Sequence, residues 1–250
     1  MDAVTPTSSD TTGTGAPGWQ ARLDAVLAEG GVRLVAQPIV NLATAEVAGY
    51  ELLSRFPGPH GPDEWFAAAR AHGRGARLNA LVLRRALAMR VTVPANRFVT
   101  VNVEPDELTA PQVTDALLGD GAGNLGGVVI ELTEHEPTVM DGDTRAVLDA
   151  LRGAGALIAV DDAGTGYAGL SHLLDLRPDL VKIDRELVDG IDTDPARRRL
   201  LELLGDLCGR IDAWLLAEGV ETAAQHDVLA ELGVPLVQGW YYGRPAEPWP

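Results

Sequence analysis

Short β-branched runs alternate with helical segments along most of the chain, and this alternation limits the fold more than any other feature. Strands are expected at residues 97–103, 128–132, 157–161, 180–183, 214–217 and 235–238, with helices or a short helical turn between them. Two earlier strands, at 33–40 and 46–53, are joined only by the five residues NLATA. That link is too short for a parallel crossover, so the first two strands should pair antiparallel. Further helices are expected at 19–29, 64–72 and 76–90. In the helix at 195–211, Asp194 reads as the N-cap, Pro195 opens the first turn, and residues 200, 201, 203, 204, 207, 208 and 211 form an apolar face. Eight strands with interleaved helices and no internal composition break predict an α/β fold, one (β/α)8 barrel of TIM-like type with an antiparallel first pair. An open doubly wound sheet is the second choice. It lacks support from any glycine-rich phosphate loop in the chain.

At 250 residues and 46% hydrophobic content the chain can bury one sizeable core. Residues 1–18, MDAVTPTSSDTTGTGAPG, read as a disordered leader and residues 19–250 as the barrel. The leader has neither a basic start nor an apolar stretch, so it is no signal peptide, and no run approaches membrane-spanning length. The single cysteine, Cys208, lies on an apolar helix face and fits a reducing cytoplasm as buried filler. A net charge of −16 argues against a surface for polymeric nucleic acid. It leaves room for a small anion wherever metal ions supply local positive charge.

The stretch LIAVDDAGTGY, from Leu157 to Tyr167, is the chemical centre of the sequence. A buried-type strand ends in Asp161 and Asp162, followed by a glycine-permitted turn. Adjacent carboxylates at a strand mouth point to a divalent cation; the plain alternative is that Asp162 caps the next helix. The pattern repeats around the barrel. Glu51, Asn102, Glu131, Asp161, Lys182, Glu218 and Gln238 each fall at or near the C-terminal end of a strand, the rim where such barrels build sites. Each alone is more often a rim residue with a structural hydrogen bond; together they favour a metal site. Glu51, Asn102, Glu131, Asp161, Asp162 and Glu218 are hard oxygen donors suited to Mg²⁺ or Mn²⁺, and no His or Cys cluster competes. So many donors suit two ions sharing a carboxylate, an arrangement that hydrolyses phosphodiesters. Of 20 basic residues only Lys182 is lysine, which points to a place that needs a compact ammonium.

The motifs AQPIV (36–40), ELLSR (51–55), VNVEP (101–105), ELTE (131–134), DDAGTGYAGL (161–170), VKID (181–184), AEGVE (217–221) and QGWYYGRP (238–245) occur in one order. In this the chain resembles the EAL-domain cyclic di-GMP phosphodiesterases from about Arg33 to Pro245. The resemblance implies hydrolysis of cyclic di-GMP to the linear dinucleotide pGpG with two Mg²⁺ or Mn²⁺ ions. It implies Glu51, Asn102, Glu131 and Asp161 as ligands of one ion, and Asp161, Asp162 and Glu218 as serving the other. Lys182 matches the lysine that positions the hydrolytic water, and Glu218 or that lysine-held water would manage its proton. Gln37, Arg55 and Gln238 match substrate-contacting positions. Glu134 matches the glutamate that steadies the loop after Asp162, and Glu221 falls behind the site. Regulation is expected through homodimerisation or a separate partner.

Four positions depart from the family pattern. Leu52 stands for alanine, Glu104 for serine, Ala163 for an aromatic and Ala36 for another aromatic. Leu52 in a tightly packed layer would press on Glu51 at a cost of about 1–3 kcal/mol. Glu104 could face the metal or solvent; strand alternation leaves both open. These departures are what a non-catalytic cyclic di-GMP receptor or protein-interaction module would show, whereas the retained ligand positions favour hydrolysis. A third reading is a hydrolase of the same fold acting on another phosphodiester.

Overall fold

In the computed structural model the residues described are 18–121, 123–133, 140–161, 173 and 175–248. Helix α1 (Trp19–Glu29) ends on Gly30, which takes the left-handed conformation at φ 65°. Strands β1 (Arg33–Asn41) and β2 (Glu46–Arg55) pair antiparallel, as the five-residue link requires. Two helices follow, α2 (Pro62–Ala71) and α3 (Gly75–Arg90), and then β3 (Phe98–Val103). After a 3₁₀ turn at Pro105–Glu107, the chain alternates through α4 (Pro111–Leu118), β4 (Val128–Thr133), α5 (Gly142–Gly153) and β5 (Leu157–Asp161). It continues with β6 (Leu180–Ile183), α6 (Arg185–Val188), α7 (Pro195–Arg210), β7 (Trp214–Ala217), α8 (Ala223–Glu231) and β8 (Leu236–Gln238).

The eight strands close into a barrel in chain order. β1 runs antiparallel to both of its neighbours, β2 and β8, while the pairs from β2–β3 to β7–β8 are parallel. The sequence pattern anticipated the first of these antiparallel pairs; closure of the ring makes the second follow from it. Helix starts are set by side chains. Asp194 accepts from the Ala196 amide at 2.8 Å ahead of Pro195, Asp141 accepts from Thr144, and Thr222 with Gln225 forms a capping box.

Strand alternation sorts the side chains into two shells. Ile130, Leu132, Ile158, Val160, Val181 and Ile183 face the helices in the main core. Ile39, Val129, Ala159, Leu180, Leu216 and Leu236 form a separate cluster in the barrel interior. A third cluster packs α1 on α2 around the buried Trp65. Leu52 and Ala36 stand opposite each other in register, and both belong to the helix-facing core. The bulk of Leu52 therefore faces the helices, not Glu51, and the expected pressure on Glu51 is absent. Among the described residues no helix is long and apolar enough to cross a membrane. The leader before Gly18, Glu134, Asp162, Ala163 and most of the short helical turn expected between the strands at 157–161 and 180–183 lie outside the described residues.

Candidate active site

The polar residues at the strand ends sit one pleat above the apolar interior layer. Val129 is followed two residues later by Glu131, Ala159 by Asp161, Leu180 by Lys182, Leu216 by Glu218 and Leu236 by Gln238. With a side-chain period of two, each polar group points to the same interior as the apolar residue below it. β1 runs the other way, so there Gln37 precedes Ile39 by two residues. Glu51 comes in from β2, in register with Gln37 on one side and Thr100 on the other. One pleat below Glu51, Gly49 leaves space for the Phe98 ring; a Cβ there would come within 2.5 Å of it.

Lys182 is the centre of the cluster and is 1% exposed. Its Nζ lies 2.8 Å from Glu218 Oε1, 2.9 Å from Glu131 Oε2, 3.1 Å from Asp161 Oδ1 and 3.6 Å from Glu51 Oε1. Beside them, Gln238 Nε2 donates to Glu51 Oε2 at 2.5 Å and to Gln37 Oε1 at 3.2 Å. Asn102 Nδ2 approaches Glu51 Oε1 at 3.4 Å, and Gln37 Nε2 donates to the Gly243 carbonyl at 3.2 Å. The buried atoms Glu131 Oε1 and Gln238 Oε1 have no hydrogen-bond partner among the described residues.

Four carboxylates against one ammonium leave an excess of negative charge, and the titration of the groups reflects it. Burial pushes the fully buried Glu131 up to about 8, opposed by Lys182 and helped by Glu51 and Asp161. Burial of its carboxyl also raises Glu218 well above the carboxylate range, again against Lys182 and with the neighbouring acids. For Lys182 burial acts to lower the pKa, but Glu131, Glu218, Glu51 and Asp161 outweigh it, and the ammonium is held well above its ordinary value. The cluster thus takes up positive charge, as protons or as cations. Among the described residues no three His, Cys, Asp or Glu side chains close on one point in metal-ligating geometry, because the carboxylates close on Lys182. The donor set nevertheless fits a hard divalent cation. All its donors are oxygen, the excess charge is negative, and Glu131 presents a buried oxygen with no partner among the described residues.

The structure therefore gathers Gln37, Glu51, Asn102, Glu131, Asp161, Lys182, Glu218 and Gln238 into one rim cluster. Arg55 lies further along β2 at its end and bonds the Ser54 carbonyl. Glu104 forms an ion pair with Arg70 of α2 at 2.6 Å, so it faces a helix and not the cluster. Glu221 pairs with Arg185 at 3.1 Å, outside the cluster on Lys182. Two glycines escaped the sequence reading. Gly219, directly after Glu218, adopts φ 69° against Arg185, and only glycine takes that turn without strain. Gly243 supplies the carbonyl that holds Gln37. Both could have been suspected from their places in AEGVE and QGWYYGRP, although the second acts through its backbone carbonyl.

Comparison with known proteins follows the same outline. The EAL domain model matches residues 19–245. The probable cyclic di-GMP phosphodiesterase PdeG of Escherichia coli K12 is 32% identical over 220 residues, which cover 84% of this chain and 43% of that protein. The manganese and cyclic di-GMP complex of Klebsiella pneumoniae BlrP1 at pH 9.0 superposes with a TM-score of 0.76 at 33% identity, covering 86% of this chain and 56% of that one. The calcium and cyclic di-GMP complex of BlrP1 at pH 8.0 matches at 30% identity and a TM-score of 0.76, covering 96% of this chain and 68% of that one. The chain thus spans less than half of PdeG.

Proposed function

The chain belongs to the EAL domain family, and on that premise we propose that it is a cyclic di-GMP phosphodiesterase. It would open the cyclic dinucleotide to linear pGpG with magnesium or manganese, two ions to a site. The observation that carries this reading is the convergence of Glu51, Glu131, Asp161 and Glu218 on the buried Lys182 at the rim of the barrel. The relatives named for cyclic di-GMP hydrolysis, and BlrP1 with manganese or calcium beside the cyclic dinucleotide, support it.

Glu51, Asn102, Glu131 and Asp161 would hold one ion; Asp161, Glu218 and Asp162, the last outside the described residues, would hold the second. Bound divalent ions neutralise phosphate charge and lower the pKa of water. The remaining work belongs to the chain. Lys182, charged at neutral pH, would donate to the attacking water once the acids that now face it hold the ions. Glu218, with 21% of its side chain exposed, is placed to take the proton of that water. Gln238 keeps a free buried oxygen for an N–H donor of the nucleotide, and Gln37 and Arg55 complete the contacts to it. Homodimerisation and a cytoplasmic location belong to the same proposal.

A receptor that binds without turnover is the competing reading, resting on positions 36, 52, 104 and 163. Ala36 and Leu52 face the helices and Glu104 faces Arg70, so these three leave the cluster undisturbed. The direct test is product analysis. Purified protein with cyclic di-GMP and Mn²⁺ should yield pGpG, chelation should stop it, and added Mg²⁺ or Mn²⁺ should restore it. Tight nucleotide binding without product would establish the receptor instead.

A further inference from the structure

The short last strand leaves part of β1 uncovered, and the chain covers it by doubling back. β8 pairs with β1 only at Ile39, Val40 and Asn41. On that side β1 continues past β8, through Pro38, which has no N–H, to Ala36, which needs partners for both backbone groups. After Gln238 the chain turns, with the Tyr242 and Gly243 amides both donating to the Gly239 carbonyl at 3.1 Å. It then returns beside β1. The Ala36 amide donates to the Ala246 carbonyl at 2.8 Å, and the Ala246 amide to the Ala36 carbonyl at 3.0 Å. Glu247 meets Arg33 at 2.6 Å, but both side chains are about two-thirds exposed, so this pair adds little. Gly243 packs so closely on Pro38 that a Cβ there would come within 2.9 Å of the ring.

The returning segment touches the site at one point. The Gly243 carbonyl takes the Gln37 side-chain N–H, which leaves the Gln37 oxygen facing Gln238 Nε2. That nitrogen also holds Glu51, so the amide group of Gln238 is oriented and its oxygen stays free. Ala246 and Glu247 lie just beyond the residues matched by the EAL domain model. We propose that residues 246–248 are a positioning strap. By bridging Ala36, Ala246 holds Gln37, and through it Gln238, in the orientation that offers the free amide oxygen to an N–H donor such as a guanine edge. Ala246 touches no ligand; it acts through β1. The inference rests on the cyclic di-GMP reading above for its ligand, and on the bridge for its mechanics.

Two substitutions at one position separate the strap from a general loss of structure. Ala246→Pro removes the N–H that bonds Ala36, whereas Ala246→Gly keeps it. Ala246→Pro should raise KM for cyclic di-GMP by about tenfold with kcat held within about twofold, the scale of one lost polar contact. Ala246→Gly should stay near the unaltered protein, and a chain ending at Pro245 should behave like Ala246→Pro. The Gln37 side-chain amide resonances, observed by ¹⁵N NMR without nucleotide, should move in Ala246→Pro and in the shortened chain only. An unchanged KM in Ala246→Pro, equal losses in the proline and glycine variants, or unmoved Gln37 resonances would each overturn the strap. If the unaltered protein neither binds nor hydrolyses cyclic di-GMP while the Gln37 resonances move as expected, the strap stands and the functional proposal fails.

Discussion

Lys182 holds the cluster together as a single side chain. A compact ammonium can face four carboxylates at once, which a planar guanidinium cannot, and the chain keeps its single lysine there. Lys182→Met leaves those acids without a counter-charge. Urea unfolding of the metal-free variant should show a loss of about 3–5 kcal/mol, as for a broken buried pair, and saturating Mn²⁺ should recover much of it. Glu131 gives a pH prediction. Its carboxyl titrates at about 8 in the folded protein, against 4.5 ordinarily. The folded state therefore keeps a proton that the unfolded chain releases between those values, and metal-free stability falls as pH rises through that window. Melting temperatures of metal-free protein should drop from about pH 5 to about pH 8, and saturating Mn²⁺, which binds the ionised form, should remove the drop. A flat metal-free profile would show that Glu131 is already ionised in the fold. The rim residues were legible in the sequence because each ends or closely follows an otherwise apolar strand. The direction of Glu104 was not, because β3 stops at Val103 and alternation no longer dictates where the next side chain points.

Among the elements, β1 and β2 carry two of the four departures from the family pattern. Ala36 faces Leu52 across the pair, a small side chain opposite a large one, both 3% exposed in the helix-facing core. Leu52→Ala should destabilise the protein by about 2–5 kcal/mol through the cavity it leaves. Because the side chain points away from Glu51, kcat per folded molecule should stay within about twofold; a large fall in kcat at full folding would place Leu52 in the support of Glu51 after all. The expected bounds of α1, β5, β6 and β7 coincide with those observed, since an apolar run flanked by polar or turn residues marks its own ends. The 3₁₀ turn at Pro105–Glu107 and α6 were missed because one turn is too short to show a period. The apolar face expected on α7 is only partly covered. Leu201 and Cys208 are buried, whereas Leu200 and Leu203 are 44% and 65% exposed. Periodicity shows that a face is apolar, and packing alone decides how much of it is covered.

For the whole molecule, strand–helix alternation and one short link were enough to foresee a closed barrel with a reversed first strand. The return of the C-terminal residues along β1 could not be foreseen, because a backbone bridge at Ala246 selects no particular side chain. If the proposed homodimer forms, light scattering should give about twice the chain mass of 26.4 kDa. A strict monomer with full activity would contradict the dimer. The central claim is that the acids gathered on Lys182 form a divalent-metal site for phosphodiester hydrolysis. Its most direct test is cyclic di-GMP turnover in Mn²⁺ by the unaltered protein beside Asp161→Asn, a near-isosteric change that removes one charge from the cluster. The unaltered protein should yield pGpG, and Asp161→Asn should lose at least about a hundredfold. Turnover undiminished in Asp161→Asn, or absent from both, would contradict that claim.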